Sequence, residues 1–212
     1  MDGVQNQLYP ALKERGYRAR GRTLNRTTSD GLIHVINFQM GRFDPPGTSY
    51  IPWLREKLYG RFTVNVGVHV PEVYAVWFSW SKSGAPALVH AHECCIESRL
   101  GNLGPERTDV WWNLGTIDEA AADVMSRLES DALPFLGRFE TRDMLLQELA
   151  RNGEVLLTHR SKTVSAIVLA ARGQLTEARQ FLSEHARQSR DPKDLQYVHE
   201  LAQKLGLDKI ET

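Results

Sequence analysis

One short run constrains this chain more than any other. From Phe62 onward, Phe62, Val64, Val66, Val68 and Val70 alternate with Thr63, Asn65, Gly67 and His69. A period of two sends successive side chains to opposite faces of a pleated strand, so this segment has a valine face to bury and a polar face to spare. Such a strand fits an antiparallel sheet packed on one side. Pro71, with no N–H to offer a ladder, ends it.

Its neighbours follow the same logic. Leu32 to Met40 carries Leu32, Ile36, Phe38 and Met40 on one face, with His34 the polar exception, while Asn37 and Gln39 point the other way. Before it, Ser29-Asp30-Gly31 holds the Asp-Gly signal of a tight hairpin. The strand entering that hairpin is expected over Tyr17 to Thr28, with Arg18, Arg20 and Arg22 on a solvated face. A fourth strand is expected from Val89 to about Leu100, and a shorter fifth from Asp109 to Leu114, around Trp111 and Trp112. The connections 41–60 and 72–88 read as irregular, and loops this long in compact domains are commonly functional.

Helices flank the strands. Val4, Leu8 and Leu12 are four apart and Gly16 supplies a left-handed stop; Pro10 places the regular part from about Tyr9. After the sheet, Thr116 and Glu119 spell a capping box ahead of Ile117, Ala121, Val124 and Leu128. Thr141 is set to cap a helix stopping at Asn152-Gly153, and further helices are expected over Thr176 to Gln188 and Asp191 to Leu205. The last has Asp191 as cap, Pro192 at the first position and Asp194 where a capping carboxylate belongs. Ala170 through Ala178 resembles the helical hairpin of tetratricopeptide repeats, but one unit makes no solenoid. The expected fold is therefore α+β: an N-terminal helix, an antiparallel sheet of four to five strands, and a helical C-terminal tail. A sheet domain over 1–137 and a helical extension over 138–212 packed on it complete the expectation.

Composition narrows the function classes. With 26 basic against 26 acidic residues, nothing in the overall charge calls for nucleic acid or an anionic membrane. No apolar run approaches the roughly 20 residues that cross a bilayer. Residues 1–10 lack the basic-then-apolar profile of a signal peptide. The two cysteines, Cys94 and Cys95, are adjacent; neighbours almost never close an ordinary disulfide, which fits reduced thiols and a cytoplasmic location.

Several segments together resemble the bacterial domain-of-unknown-function family 4304. They are Arg15-Gly16-Tyr17 through Gly21-Arg22-Thr23, Val35-Ile36-Asn37-Phe38-Gln39, Phe62-Thr63-Val64-Asn65-Val66-Gly67-Val68, Cys95-Ile96-Glu97-Ser98-Arg99-Leu100-Gly101, and the Trp111-Trp112 pair. The likeness runs from about residue 5 to 115 and rests on the ordered set, since no single motif is specific. Met40-Gly41-Arg42 departs from it, where a basic or small polar residue would follow the glutamine. The resemblance implies an α+β fold and imports no activity.

Three groups of residues bear on chemistry. His90, His92 and Cys94 alternate, so on a strand they would share a face, near His69 on a neighbour, in the manner of zinc ligands. There is no second short-spaced pair and no Cys-x-x-Cys, so the expectation is an edge strand with polar histidines, no metal and no cofactor. Asn37, Gln39, Asn65, Glu97 and Arg99 would lie together on the polar side of the sheet, either as a satisfied amide network with a Glu97–Arg99 ion pair or as a recognition patch. Aromatic residues gather in the two long connections: Phe43, Tyr50, Trp53 and Tyr59, then Tyr74, Trp77, Phe78 and Trp80. Trp53 is the largest side chain of the first connection and is read as a binding anchor. No phosphate-binding glycine motif, nucleophile elbow or His-Glu-x-x-His is present. The sequence therefore favours a non-catalytic binding protein, of the partner-neutralising kind that toxin-immunity proteins represent. The alternative is a small hydrolase or metal-dependent enzyme working with the fourth strand.

Overall fold

The computed structural model describes residues 1–41, 58–78, 87–152, 161–207 and 210. Helix α1 (Asp2–Glu14) buries Val4, Leu8 and Leu12. It runs straight through Pro10, which lies on the exposed side, so the helix begins well before Tyr9. Gly16 then takes φ +86°, the left-handed stop expected of it.

The sheet has six antiparallel strands, one more than expected, and the extra one has a simple origin. The segment from Tyr17 to Thr28 is two strands, β1 (Arg18–Arg20) and β2 (Thr23–Thr27), folded on each other so that Arg18 faces Asn25 and Arg20 faces Thr23. Gly21, at φ +58°, makes the turn between them. The hairpin at Asp30 forms as expected, with Gly31 at φ +78°, and leads into β3 (Ile33–Met40). Then come β4 (Arg61–His69), β5 (Ile96–Arg99) and the short β6 (Trp112–Asn113). The order is β1-β2-β3-β4-β5, with β6 beside the start of β4.

Pro71 both ends β4 and starts a helix, α2 (Pro71–Trp77), where irregular chain was expected. Its fixed φ suits the first helical turn, whose N–H has no acceptor to lose. The segment 89–95 is likewise no strand: Ala91–Glu93 form a 3₁₀ turn, and β5 begins only at Ile96. A single turn, α3 (Leu100–Leu103), follows.

The valine face packs under helices. Phe62, Val64, Val66, Val68 and Val70 join Leu32, Ile36 and Phe38 in one buried cluster with α1 and α4 (Ile117–Arg127). Thr116 stands at the N-cap of α4, but its hydroxyl reaches the Asn113 carbonyl (3.5 Å) and makes no cap. Below α4 the helix loosens into a π-turn (Leu128–Ala132) before α5 (Leu133–Gly137). Pro134 accounts for this, since it cannot donate into a regular α-helical ladder and its ring crowds the preceding turn.

The tail comprises α6 (Arg142–Asn152), α7 (Ser161–Ala171), α8 (Leu175–Gln188) and α9 (Pro192–Lys204). Thr141 caps α6 through the Met144 N–H (3.2 Å). Residues α7 and α8 form the helical hairpin, turning at Gly173 (φ +78°). Side chains Thr163 to Leu169 are buried on every side of α7, so it carries no amphipathic stripe. Asp191 caps α9 by accepting from the Lys193 N–H (3.0 Å), and Asp194 pairs with His185 (3.1 Å).

Two polar clamps tie the tail to the sheet. His34 Nε2 donates to the Phe139 carbonyl (2.9 Å) and its Nδ1 accepts from Arg26 (2.8 Å). An arginine only donates, so this imidazole is neutral and its tautomer is fixed. Arg26 also pairs with Glu140. Beside it, Arg142 holds Glu72 (2.6 and 2.8 Å) and the Asp30 turn. One cluster of buried apolar side chains consequently extends from Val4 to Ile210.

Candidate functional site: the polar face of the sheet

Directly paired residues in an antiparallel ladder share a face. Asn37 pairs with Asn65 and Gln39 with Thr63 across β3 and β4. Arg99 pairs with Asn65 and Glu97 with Gly67 across β4 and β5. The register therefore brings Asn37, Gln39, Asn65, Glu97 and Arg99 onto the face opposite the valines.

Two amide links organise this face. Asn65 Nδ2 donates to Gln39 Oε1 (2.8 Å), and Asn37 Nδ2 donates to Thr23 Oγ1 (2.8 Å). Glu97 does not pair with Arg99 in the structure. Arg99 turns to Asp109 instead, and its guanidinium lies over the Trp111 ring at 5.1 Å. Trp111 Nε1 donates to the same Asp109 carboxylate (3.1 Å), so the arginine is held from two sides. Glu97 is half-buried, and burial raises its carboxyl above the ordinary range despite the nearby His92 and Arg99 charges. Gln39, Asn65, Glu97, Arg99, Asn102 and Asp109 surround an open cleft of about 410 Å³.

The other end of this face is closed. Asn25 grips the main chain of Val89 twice, its Nδ2 donating to the carbonyl and its Oδ1 accepting the N–H, both at 2.9 Å. Cys94 and Val89 then press onto Val35 and form a small apolar cluster on the polar side. A Cβ on Gly67 would stand 2.8 Å from Cys94 Sγ, which is why only glycine fits beneath that segment.

This arrangement disperses the histidine–cysteine trio. A 3₁₀ turn does not repeat every second residue, so His90 and His92 stand exposed, rings stacked at 5.6 Å, while Cys94 is buried beneath them. His69 is buried separately and donates from Nδ1 to the Glu93 carbonyl (2.9 Å). Burial raises the Cys94 thiol well above its usual value and Cys95 to about 12, so neither supplies a ready thiolate. Among the described residues no group of three or more histidines, cysteines or carboxylates is placed to hold a metal ion.

Of the aromatic residues, Phe43, Tyr50, Trp53 and Trp80 lie outside the described residues, and the reading of Trp53 as an anchor with them. Tyr59 is exposed. Tyr74 and Phe78 stack on each other (4.7 Å), and Trp77 Nε1 donates to the Tyr197 hydroxyl (3.2 Å). No helix among the described residues is long and apolar enough to cross a membrane.

Residues 53–138 match the family described as a domain of unknown function, DUF4304. The chain resembles DUF4304. That likeness was expected over about 5–115, so the match lies further along the chain, beyond β3 and through α5. Asn65, Glu97 and Arg99, with Asp109 and Trp111, fall inside the DUF4304 match; Asn37 and Gln39 fall outside it. No curated protein and no solved structure matches the chain. Sequence reasoning missed Asp109 and Asn102 as members of the cleft, and Trp111 as a partner of Arg99. An acidic residue two before a tryptophan is too common a pattern to announce the grip on Arg99.

Proposed function

We propose that this is a non-catalytic binding protein whose recognition surface is the open end of the polar sheet face. The observation that carries the reading is the fixed Arg99: an arginine clamped by Asp109 and Trp111 beside the Gln39–Asn65 amide pair is pre-organised at little entropic cost. Amides and a held guanidinium are poor nucleophiles and poor bases but good donors and acceptors, which suits recognition. A protein partner, of the kind that a neutralising factor holds, fits a surface of this polarity.

A second reading, hydrolysis through β5, where the sequence placed a fourth strand, has one observation in its favour: the raised proton affinity of Glu97 in a cleft. Photo-cross-linkers placed at Gln39 and at Asn102 in cells separate the two. The binding reading expects one discrete cross-linked species at both positions and none from a control at Lys193, and a purified protein with no esterase, amidase or phosphatase turnover. Turnover abolished by Glu97→Gln, or no cross-link above the control, overturns it.

A further inference from the structure

The edge of the sheet beside this cleft carries its own information. The Phe38 N–H donates to the Arg22 carbonyl, so even-numbered residues of β3 bond to β2 and odd-numbered ones to β4. Carried across β4, this alternation turns even-numbered residues toward β5 and β6, as the Leu114 N–H on the Gly60 carbonyl confirms. The pairs Val66–Ser98 and Val68–Ile96 are then the bonded ones. Glu97 directs its N–H and carbonyl away from β4, and Arg99 its N–H likewise. No described residue takes up the Glu97 groups.

Those groups face a second cleft, of about 700 Å³, lying where a further strand would run. Its near wall is Glu97, Ser98 and Asn102, shared with the first cleft; its far wall includes the π-turn residues Ser130 and Asp131, then Phe135. An unpaired strand edge is a template for an extended backbone, and native sheets ordinarily blunt it. The opposite edge follows that rule: β1 is only three residues long and carries two exposed arginines. At β5 no described residue pairs with the outer edge, which lies beside a walled groove.

Charge selects the occupant. Arg138 is committed to Glu148 and lies over Phe135 and Phe139, and Arg99 is committed to Asp109. The Glu97 and Asp131 carboxylates line the groove and receive no hydrogen bond from a described residue, against the single uncommitted guanidinium of Arg107. A residue opposite Glu97 on an added strand would have its Cβ about 5 Å away on the same face.

We propose that β5 takes an extended peptide segment of the partner as a further strand, with a lysine or arginine side chain seated opposite Glu97. This rests on the recognition reading above and names the partner's form. The test uses two pools of short fluorescent peptides, one with a fixed central Lys and one with a fixed central Glu, measured by anisotropy on the whole protein. The Lys pool should bind about tenfold more tightly, and Nα-methylation of the central residue, whose N–H meets the Glu97 carbonyl in an antiparallel pair, should abolish binding. Glu97→Lys should invert the preference toward the Glu pool. Glu97→Pro, which deletes the outward N–H together with the carboxylate, should weaken both pools while circular dichroism stays native. Equal binding of the two pools, or methylation without effect, overturns strand addition. If discrete cross-links at Gln39 and Asn102 persist in that case, the recognition surface stands and the strand does not.

Discussion

The two faces of β4 come from the same nine-residue segment and have opposite fates. Its valines vanish under α1 and α4, where any close-fitting apolar side chains would serve. Its Thr63, Asn65, Gly67 and His69 meet a different fate at each end: Gly67 and His69 are roofed by 89–95, while Asn65 opens on a cleft. A strand thus specifies its buried face by hydrophobicity and its polar face by individual contacts. The first is degenerate and the second is not.

The most forceful way to break that contrast is a charge on the valine side. Val66→Asp puts a carboxylate at a fully buried position, at a cost of several kcal/mol, and should leave no folded protein by circular dichroism; Val66→Ile should melt close to native. A folded aspartate variant would mean that the faces are exchanged. Next in size is Gly67→Ala. Its methyl meets Cys94 Sγ at 2.8 Å and the Ile96 carbonyl at 2.9 Å, so the variant should lose about 1–3 kcal/mol in urea denaturation. Cys94→Ala in the same chain should return part of the loss, because it removes the sulfur while the Cys94 Cβ (2.8 Å) and the Ile96 carbonyl remain. An unchanged midpoint for Gly67→Ala would show that 89–95 does not press on the sheet.

Each face also holds one buried histidine, His34 on the valine side and His69 on the other. Burial lowers both below the ordinary 6.5. A lowered folded-state value means that the unfolded chain takes the proton first, so their contribution is complete above about pH 6.5 and is lost as pH falls through the folded values. Melting temperature should therefore decline on acidification below pH 6.5, and His34→Gln should flatten part of the slope. A slope that His34→Gln leaves unchanged would place the linkage elsewhere. The smallest effect belongs to the site. Arg99 and Asp109 are about one-third and one-half exposed, and such pairs contribute roughly 0–1 kcal/mol, so Arg99→Ala should melt within a degree or two of native. A large drop would make the Arg99 clamp a structural element and not a recognition one.

How much of this could be read from the chain follows the same division. The β4 faces were legible because valine alternation has one structural meaning, and the shared face of Asn37, Gln39, Asn65, Glu97 and Arg99 came with it once strands were neighbours. Gly21 hid a turn because arginines at 18, 20 and 22 keep the period of two running through it. His90, His92 and Cys94 imitate a strand for the same reason, where the chain needs a 3₁₀ turn to close over Gly67. Pro71 was ambiguous: the property that stops a strand also starts α2. Helix α7 left no stripe to detect, being buried all round. The partners of Arg99 were invisible because a loop conformation, not a periodicity, delivers Asp109 and Trp111 to it.

The clamps between hairpin and tail set a timetable for the newborn chain. Arg26, Asp30 and His34 leave the ribosome early, yet the groups that complete them, Phe139, Glu140 and Arg142, come 105 to 114 residues later. Until then His34 sits in an apolar layer with one nitrogen unanswered, and the Asp30 turn has no arginine to hold it. Contacts this distant in sequence form slowly. During synthesis the half-built sheet must therefore wait with its hairpin end unclamped, a stage at which chaperones, or a second nascent copy, compete with the chain's own tail.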